Sequence, residues 1–488
     1  MNKNKILHIL LILVLLGDFT YSFLQYYKTP LDGDMASVII PSNDNQEIFN
    51  DPFGFNAIIN NKPHINPNRY FSHLFISKYF KSIPIIFQKI VSPIESLYLS
   101  CAIIKILIHI LMVYLLSALI SREKSVFNIK LLMVAALLTP LFQAYGYNRY
   151  MGVIDTSITY TFFYALPLLL LLLFFYHFYA AIHNNEKTKH SIVAKISLLL
   201  LIIILPFSGP LIPPIILITT ILLVIYYLQK NIDSESNYHL LKKVFLAFNK
   251  IPNFILVVFI PISVLCVYSL LLGTYYSLSQ TDTIPIIERY VRLPMGIYYQ
   301  FTQKLGFPLL FILISVNFFI IKKYFYTKEG KIIITTLKWI GVFFLIYTLL
   351  LPLGGYKAYR ANILRFDTIM PITICLFYFY GLSSFFLLKN MKNYRILYFT
   401  FIITFSLFFA NADISKLNEN DCERQALISI ANSDKSIVEL DNNCKVMSWE
   451  VITDYKQSEL NATLLYLLEV TPKKRLYYSK EISDIKNR

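Results

Sequence analysis

Long apolar segments recur through the first 410 residues, and they constrain the fold more than any other feature of the sequence. The chain of 488 residues is 56% hydrophobic and only 15% charged. A soluble protein of this length needs more charged residues to cover its surface. Many of the apolar runs approach the length of a bilayer crossing, and they lack the alternation of a transmembrane barrel. The sequence therefore predicts an all-α polytopic membrane protein.

Run length and the charge of the connections predict about eleven transmembrane helices. "PFSGP", residues 206–210, joins the fifth and sixth spans in a tight hairpin, with a re-entrant pair as the alternative. The first span follows a short basic start without a small-x-small cleavage site, which indicates a retained anchor. The predicted spans are 5–24, 98–120, 131–147, 158–182, 192–207, 211–229, 251–273, 306–321, 332–351, 368–388 and 396–410.

Every second connection is rich in lysine, as the positive-inside rule expects of cytoplasmic loops. The pattern places the N-terminus inside and the C-terminus outside. It also explains the net charge of +16, so nucleic acid is not an expected partner. The Ile-, Lys- and Asn-rich composition is typical of a bacterium with A/T-rich DNA. We therefore expect a multi-pass protein of the bacterial cytoplasmic (inner) membrane, in contact with the lipid bilayer.

Four connections and the tail are predicted on the extracytoplasmic side. The largest is the first loop, and the other three connections are shorter; together they cover about 25–97, 145–157, 274–305 and 352–367. The more polar tail, 411–488, is predicted to be a small extracytoplasmic domain beyond the membrane domain 1–410. Cys422 and Cys444 lie in this tail, where either a disulfide or two free thiols are compatible with the sequence.

"KTPLDGDMAS", residues 28–37, places Asp32 and Asp34 on either side of one glycine at the end of the first span. A carboxylate there can accept a proton from a hydroxyl, or hold a divalent cation such as Mg²⁺ or Mn²⁺. The glycine lets the backbone turn so that both acids face one cavity. The alternative is a polar turn that ends the span, with an Asx-type bond to the backbone.

"GGYKAYRANILRFDTIMP", residues 354–371, concentrates Lys357, Arg360 and Arg365 in a predicted external loop. The positive-inside rule disfavours cations there, so their presence needs a reason. Phosphate binding is one, because guanidinium groups bind its oxygens in a bidentate, charge-assisted way. Tyr356 and Tyr359 can pack on a lipid tail or a sugar. The alternative is an interfacial aromatic belt with snorkelling cations.

Further candidate residues lie in the first and second external loops. Arg69 is a candidate for an anionic ligand in an amphipathic stretch of the first loop. His64, in the same stretch, is either a groove residue or a packed histidine. Arg149 in "YGYNRYMGVID" is a candidate groove residue, with a plain ion pair to Asp155 as the alternative.

In these motifs the chain resembles the GT-C type glycosyltransferases. "LDGDMAS" stands where that superfamily carries an acidic motif, in the first large extracytoplasmic loop. "RFDTIMP", residues 365–371, is similar to the family's Arg-aromatic pair before a proline that enters a late span. The resemblance in layout extends to about residue 410.

The resemblance implies an inverting transfer of a sugar from a polyprenyl-phosphate donor to an envelope glycan, lipid or protein acceptor. Asp34 would be the base, and Asp32 would orient the acceptor or hold a metal. No cofactor is expected beyond that optional divalent cation. Positive side chains would stabilise the leaving phosphate, namely Arg360, Arg365, Lys357 and Arg69. Asp367 departs from the family's usual residue and is expected to pair with Arg365.

Two other classes of function remain as alternatives. A polysaccharide polymerase or ligase has similar topology, but usually places its large arginine-bearing loop late in the chain, whereas here the first loop is the largest. A transporter or flippase of lipid-linked saccharides predicts ionisable residues within spans. Such residues are few here: Lys105 and His109, one helical turn apart in the second span, and Lys338 near the end of a span.

Overall fold

The computed structural model describes residues 3–41, 43–142, 151–183, 192–232, 240–276, 284–354, 360, 362–412 and 417–480. These ranges are mostly helical. In chain order the helices are α1 (Lys3–Tyr27), α2 (Met35–Ile39), α3 (Asn43–Asn50), α4 (Phe55–Ile59), α5 (Tyr70–Phe80), α6 (Ile83–Phe87), α7 (Pro93–Ser121), α8 (Ile129–Leu138), α9 (Ile158–Tyr160), α10 (Leu166–His183), α11 (Ile192–Ile204), α12 (Ile212–Ile232), α13 (Leu240–Asn249), α14 (Asn253–Gly273), α15 (Ile286–Thr302), α16 (Gly306–Tyr324), α17 (Lys328–Leu350), α18 (Met370–Asn390), α19 (Arg395–Asn411), α20 (Asp421–Asn432) and α21 (Glu459–Leu467).

A helix covers each of the eleven predicted spans where the chain is described. Within the described ranges, eight helical segments are long and apolar enough to cross a membrane. They are α1, α7, the segment Ile158–Phe178, α12, α14, α16, α17 and α18. Three shorter apolar stretches contain α8, α11 and α19. The structure therefore confirms a multi-pass helical membrane protein, whereas the count of eleven crossings stays a prediction.

α7 and α18 form the centre of the helical bundle. Their apolar windows are 67% and 78% buried, whereas that of α1 is only 17% buried. α7 starts at a sequence signal for a helix N-terminus: the Ser92 hydroxyl accepts a hydrogen bond from the Glu95 N–H, and Pro93 occupies the first turn. The helix ends at Arg122, whose φ of 61° cannot continue it. α7 thus carries residues from the first loop to the opposite end of the bundle.

The segment from Ile158 to His183 is one helical run with a π-helical turn at Thr161–Ala165 between α9 and α10. π-turns inside α-helices occur frequently at functional sites, because the extra residue re-aims neighbouring side chains. Here the helical run lies next to two loop segments that are remote from it in sequence, those of Asp32 and Asp367.

The tail folds against the first loop. Its two short strands, β1 (Ile437–Leu440) and β2 (Leu476–Ser479), pair in parallel. Cys422 and Cys444 form a disulfide, which decides between the two alternatives that the sequence left open. A second hydrophobic core joins the first loop, the start of α7 and the tail, through residues that include Met35, Ile76, Leu97, Leu427 and Leu465. The division into domains at 410/411 stays a prediction.

Contacts between connections gather them at one end of the bundle. The His64 N–H donates to the carbonyl of Tyr275 at 2.7 Å, and Arg289 Nη1 donates to the carbonyl of Pro352 at 3.1 Å. Asp32 contacts Thr159, and Leu31 contacts Glu423 of the tail. The segments that the sequence placed on one side of the membrane therefore meet in space.

Candidate functional site

Asp32 is buried, and both of its carboxylate oxygens accept hydrogen bonds from other parts of the chain. Oδ1 accepts the N–H of Asp34 at 3.0 Å, which is the Asx-type bond of the turn alternative. Oδ2 accepts the Ser157 hydroxyl at 2.7 Å, the Thr159 N–H at 2.8 Å and the Thr159 hydroxyl at 3.0 Å. A buried carboxylate needs such donors to offset its lost hydration. Asp32 therefore fixes the acidic turn to the start of α9.

Asp34 has a different environment, although it lies only two residues further on. Its side chain is exposed, and it does not cap α2, which starts at the next residue. Its backbone carbonyl accepts the Ser37 hydroxyl at 2.8 Å. Since Asp32 holds the turn through the Asp34 N–H, the Asp34 carboxylate is presented to solvent from a fixed backbone.

A glycine is required at position 33, because the tail lies so close to the backbone there that a side chain would not fit. A Cβ atom at this position would lie 2.6 Å from the backbone nitrogen of Trp449 and 2.7 Å from the ring atom Cδ1 of the same residue. These distances are shorter than real Cβ contacts, so a side chain at residue 33 would force the tail loop to move. The glycine of the acidic motif thus serves a tertiary contact that is not visible in the local sequence.

A buried polar network supports the partners of Asp32. The Ser157 N–H donates to Asp155 Oδ1 at 2.7 Å, and the Lys105 ammonium donates to the Thr156 carbonyl. Lys105 is 1% exposed, so α7 contributes a buried cation directly beneath this turn. Sequence reasoning missed Ser157 and Thr159. The available signal was "DTSITY", residues 155–160, in which Ser157 is the N-cap of α9.

Arg360 and Arg365 surround the fully buried side chain of Asp367. Arg365 Nη2 lies 2.5 Å and Arg360 Nη1 lies 3.8 Å from Asp367 Oδ2, which confirms the expected Arg365–Asp367 pair. Burial raises the pKa of Asp367, while the charge of Arg360 and the Thr368 N–H lower it. Both arginine side chains remain about one fifth exposed. Two guanidinium groups therefore converge on one carboxylate at a partly exposed position.

The helical segment 158–165 connects the acidic turn with this arginine cluster. The Tyr164 hydroxyl bonds to Asp367, and the Tyr160 ring stacks on Phe366 with centroids 5.8 Å apart. From the first loop, the Arg69 guanidinium lies 5.5 Å from the centre of the Phe163 ring. The structure thus brings Asp32, Asp34, Arg69, Arg360 and Arg365 around one short segment. Their individual roles stay predictions.

Other predicted residues lie elsewhere or outside the described ranges. The ring nitrogens of His64 bond to the carbonyls of Ile65 and Asp51, each at 2.9 Å, so this histidine is packed inside the first loop rather than at the acidic turn. The predicted residues outside the described ranges are Arg149, Tyr356, Lys357 and Tyr359.

The donor set at the acidic turn gives little support to a metal site. Among the described residues, no group of three or more His, Cys, Asp or Glu side chains could hold a metal ion. Both oxygens of Asp32 already accept hydrogen bonds, so a cation would have to displace N–H or O–H donors. The metal assignment to Asp32 and Asp34 stays a prediction, and the reaction proposed below uses side chains alone.

An apolar cavity of about 400 Å³ opens between α10, α12, α17 and α18. Leu168 and Pro371 line it, and each lies four residues along the chain beyond a residue of the polar cluster. Those residues are Tyr164 and Asp367. The cavity therefore begins next to the arginine cluster and continues between the helices. Its other lining residues include Leu172, Thr219, Leu222, Phe343 and Cys375.

The fold and the site define a class: a multi-pass helical membrane protein whose acidic and basic loop residues meet at one end, beside an apolar cavity. Comparisons with protein-family models, with curated proteins and with solved structures found no match to this chain.

Proposed function

We propose that the protein is an integral-membrane glycosyltransferase that moves a sugar from a polyprenyl-phosphate-linked donor to an acceptor. The observation that carries this proposal is the double role of segment 158–165. Its start binds the acidic turn through Thr159, and its next turns contact the Arg360–Arg365–Asp367 cluster through Tyr160 and Tyr164. A base and a phosphate-binding group within one site are what glycosyl transfer from a phosphate requires.

In the proposed reaction, the acceptor oxygen attacks the anomeric carbon while Asp34 takes the hydroxyl proton. The bond between the anomeric carbon and the phosphate oxygen breaks, and its electron pair leaves with the polyprenyl phosphate. In-line displacement inverts the anomeric configuration. Arg360 and Arg365 stabilise the negative charge that develops on the phosphate. Asp32 does not touch the reacting atoms, but positions Asp34 through the hydrogen bond to its N–H.

The apolar cavity supports a lipid-linked donor. Its volume of about 400 Å³ is within the usual range for ligand sites, and its walls are almost entirely hydrocarbon. A polyprenyl chain entering between α10 and α18 would keep its phosphate next to Asp367 and the two arginines. A water-soluble nucleotide-sugar donor would gain nothing from such a cavity.

We further propose that this site faces the extracytoplasmic side of a bacterial inner membrane, with the N-terminus inside and the C-terminus outside. The lysine-rich alternate connections support that orientation. The Cys422–Cys444 disulfide supports an oxidising compartment for the tail. Eleven crossings, a large first external loop and an external tail complete this topology. The product would be an envelope glycan, glycolipid or glycoprotein, consistent with a role in polysaccharide biosynthesis.

The test is transfer of radiolabelled sugar from polyprenyl phosphate in membranes that hold matched amounts of each variant. Asp34→Asn should lower transfer about 10²- to 10⁴-fold, because a general base contributes about that factor. Asp441→Asn, which changes an exposed acid in the tail, is the control and should transfer normally. Full transfer by Asp34→Asn and Asp32→Asn would reduce the motif to a turn and favour a polymerase, ligase or transporter.

A transporter or flippase of lipid-linked saccharides is the second candidate, because a buried polar seam lies between α1 and α7. His109 is fully buried, and its Nδ1 lies 3.4 Å from the Tyr26 hydroxyl. Within the described chain, the buried Ser22 hydroxyl, both polar atoms of Gln25 and His109 Nε2 have no hydrogen-bond partner. Polar groups inside a span often mark a transport path. This alternative predicts that His109→Leu abolishes movement of a fluorescent lipid-linked saccharide across proteoliposomes, whereas the transferase proposal predicts no such movement by the wild type.

A further inference from the structure

The tail loop that reaches the acidic turn is held from several sides. Cys444 is tied to α20 by the disulfide, and the Val446 carbonyl accepts the Tyr477 hydroxyl at 2.9 Å. The Met447 N–H donates to Glu423 Oε1 at 2.8 Å, and its carbonyl accepts Asn461 Nδ2 at 3.1 Å. Met447 has a φ of +47°, a conformation that costs energy for a non-glycine residue. Such strain persists only where surrounding contacts fix it, and it is concentrated at functional sites.

This fixed loop presents Trp449 at the surface. The side chain is 47% exposed, although a tryptophan contributes more apolar area than any other residue and is normally largely buried. Its ring atoms Cδ1 and Cγ would lie 2.7 Å and 2.9 Å from a Cβ at Gly33. The indole therefore packs against the one residue between Asp32 and Asp34, next along the chain to the exposed residue Asp34.

We propose that Trp449 is an acceptor-binding residue that stacks on a pyranose ring, so that the acceptor of this enzyme is a carbohydrate. The proposal rests on the proposed function for the role of Asp34. One face of a pyranose presents weakly positive C–H groups, which fit the negative face of an indole ring. The hydroxyl groups lie around the rim of the sugar, where one of them can reach the Asp34 carboxylate.

The surroundings of Trp449 favour a sugar over a lipid or an apolar peptide. Its neighbours Ser448 and Glu450 are polar, and Glu450 is exposed. A lipid chain needs a continuous apolar surface, which the acidic turn and these neighbours interrupt. A single aromatic face with polar groups around it matches a ring that is apolar on its faces and hydroxylated at its edge.

Binding can be measured separately from transfer, because the sequence contains only two tryptophans. The other is Trp339, in the wall of the apolar cavity. In a Trp339→Phe background, Trp449 is the single tryptophan, and its fluorescence reports its surroundings. Cellobiose, mannobiose and chitobiose are titrated into the purified full-length protein in nanodiscs. A saturable change in emission with at least one disaccharide is the expected result. Unchanged emission with all three would overturn the proposal.

The kinetic arm compares Trp449→Ala with Tyr466→Ala, in which a tail aromatic of similar exposure, 49%, is removed. Trp449→Ala should raise KM for the saccharide acceptor about tenfold, with a smaller effect on kcat, as expected for loss of one stacking contact. Trp449→Phe keeps an aromatic face and should recover part of the loss, which separates stacking from a collapse of the tail. Tyr466→Ala should match the wild type.

The two arms distinguish failure of this proposal from failure of the proposed function. If the wild type transfers sugar and Trp449→Ala has an unchanged KM, Trp449 does not bind the acceptor although the transferase stands. If a disaccharide binds at Trp449 but no polyprenyl-phosphate sugar is turned over, the saccharide site stands and the transferase fails.

Discussion

Gly33→Ala tests whether the tail is seated directly on the acidic turn, and it does so without assuming any activity. The added Cβ would lie 2.6 Å from the Trp449 nitrogen and within 3.0 Å of two ring atoms. Real Cβ contacts begin at 3.0 Å and ordinary ones at 3.4 Å, so the Trp449 backbone and the turn must separate by about 0.4–0.8 Å. The backbone nitrogen cannot rotate away as a side-chain end would, and the loop that carries it is held by Glu423 and Asn461.

Overpacking of this kind costs about 1–3 kcal/mol. Because the strain acts between the tail and the turn, we expect it to weaken their docking rather than to unfold the helical bundle. The equilibrium for opening this interface should therefore rise about 5- to 150-fold. No backbone strain adds to this cost, because Gly33 does not have a positive φ.

Hydrogen exchange at two backbone amides reports the opening, since the Leu31 and Met447 N–H groups both donate to Glu423. Both should exchange faster in Gly33→Ala by the same factor. Gly341→Ala is the matched control: nothing lies within 4 Å of its added Cβ, and alanine is favoured in a helix by about 0.5–1 kcal/mol. Exchange in Gly33→Ala as slow as in the wild type would refute the contact with Trp449.

Two further predictions concern the tail and the cavity. Burial, assisted by the charge of Asp32, raises the pKa of Glu423 from 4.5 to about 7, so the protonated form is favoured in the docked tail. The tail should therefore dock most strongly below about pH 4.5, and its docking should lose up to about 3 kcal/mol of stability as the pH rises through 7. Hydrogen exchange at the Met447 amide measures this loss. Glu423→Gln should remove the pH dependence. In the apolar cavity, Leu222→Trp should raise KM for a long-chain polyprenyl donor more than for a short-chain one. Leu407→Trp, at a surface-exposed position on α19, should alter neither KM, and equal KM values in both variants would argue against the cavity as the lipid site.

The helical bundle was predictable because its signal is local. Apolar run length and alternate lysine-rich connections placed a helix at each of the eleven spans, as far as the chain is described. α8, α11 and α19 are the shorter cases. α8 and α11 pass into the 3₁₀ turns Thr139–Phe142 and Leu205–Phe207 before their predicted ends, and hydropathy cannot reveal this change because their sequences are as apolar as those of the longer helices. The π-turn at Thr161–Ala165 is likewise invisible in composition, since it depends on contacts made by the folded chain.

The site was predictable only in outline. The charged motifs singled out Asp32, Asp34, Arg360 and Arg365 as candidates, and the pair of Arg365 with Asp367, expected from the unusual aspartate, is confirmed. The partners of Asp32 were not predicted, because Ser157 and Thr159 lie more than 120 residues away along the chain. The contact of Gly33 with Trp449 spans more than 400 residues. A single sequence carries no signal for such pairs, and only their shared place at the end of α1 and α7 brings them together.

The three residues of the D-G-D motif have three separate physical roles, which explains why neither simple interpretation of it is sufficient. Asp32 makes the Asx-type turn and also binds α9, so the structural interpretation holds for this residue. Gly33 lacks a side chain because Trp449 occupies that space. Asp34 is left exposed on a backbone that the other two hold in place. A turn that served only to end a helix would not need a buried carboxylate with four donors, and this excess of support is what an exposed acid requires if its position matters.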